Sequence, residues 1–222
     1  MIIQLYHKPQ TARKTTILQL LTLSFLGICL TVLSANGASL EQKNISSWYQ
    51  RMGGLIPVKN KIYICHGYGC KYRTKTFLSP TAHKKAIALL RQSDKTPEQE
   101  RAAIKKLIAW HEVLVATKVG SANDRGGLDM QNGGVRGQMD CIDETANTTS
   151  VLLYATQQGW FVHHRVVEPV SRGFFLDLRY PHASAAIEEI ATGKKYVVDN
   201  WPDDNGKPPL VIPLEAWRGQ GG

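Results

Sequence analysis

The stretch Pro181-His182-Ala183-Ser184-Ala185-Ala186-Ile187-Glu188-Glu189-Ile190, then Ala191-Thr192-Gly193, then Lys194-Lys195-Tyr196-Val197-Val198-Asp199-Asn200-Trp201, decides the fold. Residues 183–190 and 195–200 read as extended segments, and Ala191-Thr192-Gly193 as the short turn joining them. The two are expected to form an antiparallel hairpin. Positions equidistant from a hairpin turn face one another. His182 and Asp199 have their midpoint at 190.5, close to that turn. The ribbon is therefore expected to set an imidazole and a carboxylate side by side with no long-range assumption.

Working outward, Cys141 to Gln158 reads as a helix closed by Gly159. Asp140 is its natural N-cap, and Asp143-Glu144 place acids in the first turn. Ile142, Ala146, Thr149, Leu152 and Leu153 are expected to form the buried stripe. Cys141 stands where this helix begins. The positive end of a helix stabilises a thiolate, and its outward N–H groups suit an oxyanion. A cysteine nucleophile also needs an imidazole to take its proton, and the imidazole needs an orienting partner. His182 and Asp199 fill those two roles. His163 and His164 are the rival imidazoles, on opposite faces of an extended segment at 161–167, with no carboxylate in register to either.

Order and wording here resemble a known family. Gly137-Gln138-Met139-Asp140-Cys141, then Pro181-His182, then Thr192-Gly193-Lys194-Lys195-Tyr196-Val197-Val198-Asp199-Asn200-Trp201 resemble the bacterial transglutaminase-like cysteine proteinases of the papain-like superfamily. The spacings are 41 and 17 residues, and the resemblance covers about residues 100–201. It implies Cys141 as nucleophile, His182 as general base and acid, and Asp199 as the orienting acid. It also implies a papain/transglutaminase-like α+β fold, a helical N-terminal lobe packed on an antiparallel sheet. Gln138, three residues before the cysteine, is a candidate oxyanion donor or simply a residue of the loop entering the helix. Some periplasmic relatives carry a calcium-binding acidic cluster around the cysteine. Asp140 and Asp143 match part of such a cluster and Ile142 interrupts it, so no metal ligand set is assigned.

The rest of the chain supports α+β. Lys61 to Ile64 reads as a short strand. A helix is expected from about Pro80 or Thr81 to Arg91. Thr96-Pro97-Glu98-Gln99 is a helix start: a threonine cap, proline at the first helical position, and Gln three residues after the cap. Ile104, Leu107, Ile108, His111, Leu114 and Val115 then share one face to about Lys118. His111 on that face reads as a core or rim histidine. Residues 120–138 form a loop with six glycines and no phosphate-binding spacing. Phe161–Val167 and Gly173–Tyr180 read as further strands. Helices precede strands, which argues α+β over alternating α/β.

Composition is globular, with 43% apolar and 20% charged residues, which excludes a disordered or coiled-coil chain. Lys8, Arg13 and Lys14 precede the uncharged stretch Ile17–Leu33, and Ala35-Asn36-Gly37 offers small residues for cleavage. Residues 1–37 are expected to be a signal peptide or N-terminal membrane anchor, a buried core helix being the remaining reading. Cys29 belongs to its apolar centre. Without residues 1–37 the 27 basic residues fall to 24 against 18 acidic, net +6 instead of +9. Lys71, Arg73 and Lys75 alternate along one face, a solvated basic surface and not a nucleic-acid site.

Residues 38–80 are assigned to an extension and 81–222 to the catalytic domain. Cys65-His66-Gly67-Tyr68-Gly69-Cys70 suits a tight disulfide loop, with half a metal site or a redox pair as alternatives. Cys141 is then the odd cysteine. The expected function is an exported cysteine peptidase or amidase acting on an envelope protein or peptide, periplasmic or secreted. It would need no dissociable cofactor. A transglutaminase-like acyl transferase and a non-catalytic envelope binding protein are the alternatives.

Overall fold

A computed structural model describes residues 45, 48–91, 95–127, 130–173 and 180–220. The expected leader at 1–37, Cys29 included, and positions 174–179 of the expected Gly173–Tyr180 strand lie outside the described residues. Among the described residues no helix is long and apolar enough to cross a membrane.

The architecture is mixed helix and antiparallel sheet. β1 (Lys61–His66) and β2 (Tyr72–Phe77) form a hairpin of their own. The expected strand at Lys61 is thus present and two residues longer. Arg73 and Lys75 lie exposed on β2 while Thr76 between Lys75 and Phe77 is buried. Two helices follow, α1 (Pro80–Arg91) and α2 (Pro97–Val119). Thr96 caps α2 by accepting the Gln99 N–H, with Pro97 at the first position, and Gly120 ends it in the left-handed conformation. Ile104, Leu107, Ile108, His111 and Val115 are buried as expected. Leu114 is not; it is 43% exposed.

After the glycine-rich loop comes α3 (Cys141–Gln157), then β3 (His164–Arg172), β4 (His182–Glu189), β5 (Lys195–Asp199), β6 (Leu210–Pro213) and α4 (Leu214–Gly219). The four strands form one antiparallel sheet in the order β3-β4-β5-β6. β3 begins later and runs longer than the expected 161–167 segment, with a register shift between Val167 and Val170. β6 and α4 lie beyond the segments read as regular structure.

α3 is the centre of the molecule. It packs against β1 on one side and β3 and β4 on the other. Its residues from Asp143 to Ala155 are all buried. The expected single stripe is therefore too narrow, and Ile142, counted in it, is only half-buried. A helix enclosed on all sides normally reads as continuously apolar; this one carries Thr145, Asn147, Thr148, Thr149 and Ser150. Asn147 shows how one of them is accommodated. Its carboxamide accepts the Cys65 N–H (2.7 Å) and donates to the Cys65 carbonyl (2.9 Å), as a neighbouring strand would. Ile62, Ile64, Ile104, Leu107, Leu152, Leu153 and Ile187 fill the main core around α3, each contributing about 1.5–3 kcal/mol. Residues before 81 join this core through Ile45, Ile62, Ile64 and Leu78.

Candidate active site

Two elements bring the candidate residues together, the start of α3 and the β4–β5 hairpin. Cys141 is the first residue of α3, behind its cap Asp140. Asp140 accepts the N–H groups of Ile142 (3.1 Å) and Asp143 (2.9 Å), and Asp143 answers on the Asp140 N–H, completing a capping box. Those two N–H groups are occupied by the cap. The N–H of Cys141 itself is the helix-terminal donor beside the sulfur.

β4 and β5 pair as Ala185↔Val198, Ala186↔Val197, Ile187↔Tyr196 and Glu188↔Lys195. Continuing that register sets Asp199 opposite Ser184. His182 and Asp199 are thus not directly opposite, as the midpoint suggested, but diagonal neighbours. A displacement of two residues keeps both side chains on one face of the sheet, within reach of each other. His182 Nε2 lies 2.7 Å from Asp199 Oδ2, both residues buried. The same oxygen accepts the indole N–H of Trp217 at 2.8 Å. His182 also packs on the rings of Trp201 (4.5 Å between centroids) and Trp217 (5.5 Å). Its other ring nitrogen, Nδ1, is buried with no hydrogen-bond partner among the described residues.

The sulfur of Cys141 receives the backbone N–H of Ala183, the residue after His182, and feels the charge of Asp199. The Ala183 N–H thus sets the start of β4 against the first residue of α3, and no hydrogen bond joins His182 Nδ1 to the Cys141 sulfur among the described residues. Cys141 is a free thiol, 8% exposed. Burial pushes it up to about 11; the charges of Asp140 and Asp199 add to this, and the N–H groups of Ala183 and Cys141 oppose it. It opens into a cleft lined by Tyr68, Gly127, Met130, Asp140, Tyr180 and Trp201.

Gln138 does not face an open site. Its Oε1 accepts from Asn132 (3.2 Å) and its Nε2 donates to the Asn123 carbonyl (3.2 Å), so it ties the loop before the helix.

His164, the buried rival, does have a carboxylate, contrary to the expectation from register. Its Nδ1 lies 3.1 Å from Glu100 Oε1, and its Nε2 lies 3.1 Å from Arg101 Nη1. Glu100 also accepts the N–H groups of Val162, His163 and His164, so this cluster anchors the start of β3. Both nitrogens of His164 are engaged, whereas Nδ1 of His182 is not. His111 is buried with its Nε2 unpartnered, and burial lowers it to about 4.

Cys65 and Cys70 are joined as a disulfide, their Cα atoms 4.6 Å apart. In the loop they close, Gly67, Tyr68, Gly69 and Cys70 itself all have positive φ, from 57° to 87°. Successive left-handed residues turn their N–H groups into one concavity that holds an anion. Here the anion is the acidic start of α3. Tyr68 and Cys70 donate to Asp143 (2.7 and 2.6 Å), and Gly69 donates to Asp140 (2.9 Å). The loop docks the β1–β2 hairpin on the start of α3 and delivers Tyr68 to the cleft. Cys65, Cys70 and Asp143 form the one group of three potential metal ligands among the described residues, and their two sulfurs bond to each other.

Behind the site lies a layer of buried acids. Asn200 Nδ2 donates to Glu112 and Glu144, both at 2.5 Å, and Asn200 Oδ1 accepts from Thr148 at 2.8 Å. Burial raises Glu112, Asp124 and Asp143 to about 7 each, and raises Glu144 well above its ordinary value. Their mutual charges add to the shift for Asp124 and Glu144, as Asp140 does for Asp143.

Trp217 and Asn200 are the site residues that sequence reasoning missed. Asn200 carried a signal, its position beside Asp199; Trp217 carried none. Compared with known proteins, the chain matches no protein-family model, no curated protein and no solved structure.

Proposed function

We propose that this chain is an exported cysteine peptidase or amidase working through Cys141, His182 and Asp199, on a papain/transglutaminase-like fold. The observation that carries the reading is the state of His182. Its Nε2 is held by a buried carboxylate and its Nδ1 has no hydrogen-bond partner among the described residues, next to the residue whose N–H meets the Cys141 sulfur. That is the division of labour a base needs: one nitrogen fixed, the other free to accept a proton.

The chemistry then runs in two steps. As the sulfur attacks an amide carbonyl, the S–H proton passes to His182 Nδ1 and the C–S bond forms. The thiol is held in its neutral form at rest, so proton transfer accompanies attack. Asp199, steadied by the Trp217 N–H, offsets the imidazolium charge. The imidazolium gives its proton to the leaving amine as the C–N bond breaks, leaving an acyl-enzyme. Water then attacks the acyl carbon and gives a proton to His182, the C–S bond breaks, and His182 returns the proton to the sulfur as the acid leaves; an amine in place of water would make the protein an acyl transferase. The N–H groups of Cys141 and Ala183 are the donors nearest the sulfur.

One observation favours a non-catalytic binding protein on the same scaffold: the sulfur is buried and its thiol raised to about 11. Site-resolved alkylation separates the two. The proposal expects Cys141 of the folded protein to be alkylated by iodoacetamide at pH 8 with His182 taking its proton, and His182→Ala to slow that reaction. A native Cys141 that resists alkylation at every pH from 6 to 9, in a folded protein, decides for the binding module.

A further inference from the structure

The chain is strongly basic, +9 overall, yet the cleft at Cys141 is not. None of the described residues lining it is a lysine or arginine. Its charged wall is Asp140. That carboxylate is satisfied by three backbone N–H groups, from Ile142, Asp143 and Gly69, which are neutral donors. No ion pair among the described residues involves Asp140. Its negative charge therefore stays in the cleft, hydrogen-bonded but not neutralised. The charge is felt at both ends of the space, at the Cys141 sulfur and at the Tyr180 hydroxyl. The other walls are aromatic. Tyr180 stacks on Trp201, with 13° between the ring planes and 6.2 Å between centroids, and Tyr180 is 42% exposed. Tyr68 faces the space from the disulfide loop. Aromatic faces around one carboxylate that no cationic side chain pairs with, among the described residues, attract cations and repel anions.

We infer that the Cys141 cleft selects substrates with a cationic side chain, lysine or arginine, next to the bond that is cleaved, recognised by Asp140 and the rings of Tyr180 and Tyr68. The inference rests on Cys141 being the nucleophile. It adds a consequence for mechanism. The charge of Asp140 opposes ionisation of the sulfur in the free protein. A cationic side chain seated against Asp140 offsets that charge, so the nucleophile is favoured when the right substrate is bound.

The test uses three methanethiosulfonates of graded charge on the full-length protein at low salt: 2-(trimethylammonio)ethyl, methyl and 2-sulfonatoethyl. Each reacts with the Cys141 thiolate to form a mixed disulfide and release methanesulfinate, and modification is read at Cys141 by peptide mass. Rates are divided by those of a free model thiol. The expected cationic-to-anionic ratio is about ten or more, the effect of one nearby carboxylate at intermediate dielectric. Asp140→Asn should bring the ratio close to one while retaining the helix cap, since Asn caps as well as Asp. Tyr180→Leu should lower the cationic-to-neutral ratio several-fold, and 1 M salt should compress all the ratios. A reactive Cys141 with a ratio within twofold of one, or a ratio unchanged in Asp140→Asn, overturns the inference and leaves the nucleophile intact. A Cys141 inert to all three reagents overturns the nucleophile reading, and this inference with it.

Discussion

Replacing Glu144 by glutamine tests the buried acid layer. In the fold, Glu144 accepts an N–H from Asn200, and glutamine can accept the same bond with its carbonyl oxygen. The substitution therefore removes the titration and little else. Glu112, Asp124 and Asp143 are raised to about 7, and Glu144 is raised further above its ordinary value. In the unfolded chain all four release their protons near pH 4. Between these limits the folded state holds more protons than the unfolded state, so stability falls as pH rises through the window.

From pH 6.5 to 8.5, a group with a folded value of about 7 loses about 1 kcal/mol, and a group still protonated at 8.5 loses about 3 kcal/mol. His66 and His111 are both lowered, so they titrate below this window. Urea unfolding followed by tryptophan fluorescence at pH 6.5, 7.5 and 8.5 should show the wild type losing about 1–3 kcal/mol more than Glu144→Gln across the range. Titration of groups that do not interact with Glu144 cancels in that difference. Parallel profiles for the two proteins, or a wild type that gains on the variant as pH rises, would refute the assignment of Glu144 as a buried neutral acid.

Three further outcomes are expected. Asp199→Asn keeps an acceptor for His182 and Trp217 but loses the charge, worth about 1.5–3 kcal/mol. It should slow Cys141 alkylation at pH 8 by roughly 10- to 100-fold with the thermal midpoint little changed, and equal rates would count against the triad. Replacing Cys65 and Cys70 together by alanine should cost about 2 kcal/mol from the short closed loop. It should also raise amide exchange at Tyr68, Gly69 and Cys70, whose N–H groups grip Asp140 and Asp143; unchanged exchange would mean the loop is held without the bond. Gly137→Ala puts a Cβ 2.1 Å from the Gly120 carbonyl oxygen at φ +87°, where backbone must move. A loss of at least 2 kcal/mol in urea unfolding is expected, as for overpacking combined with a left-handed φ.

What was legible of the fold was what local chemistry dictates. Thr96 before Pro97 and Asp140 before Cys141 mark helix starts because a cap needs only its own first turn. Gly120 and Gly159 mark stops for the same reason. The enclosure of α3 on every side was not legible. Burial of Thr145, Thr148 and Ser150 depends on β1 arriving from one direction and β4 from the other, and no periodicity within 17 residues encodes that. The Glu100–His164 pair was missed likewise: 64 residues separate them, and only the packing of α2 beside β3 brings them together.

The candidate triad was legible for a different reason, the arithmetic of a pleated ribbon. Estimating the turn from sequence carries an error of about a residue, and the estimate here was off by one in the midpoint. That moves the expected partner of His182 by two positions along β5. Because side chains alternate with period two, an error of two leaves Asp199 on the face of His182, at the diagonal instead of directly opposite. An error of one would have turned the carboxylate to the other side of the sheet and removed the contact altogether. The second donor to Asp199 had no such rule behind it. Trp217 reaches Oδ2 only because β6 pairs with β5 and α4 folds back on the sheet, so the indole comes from an element whose place nothing near Asp199 specifies.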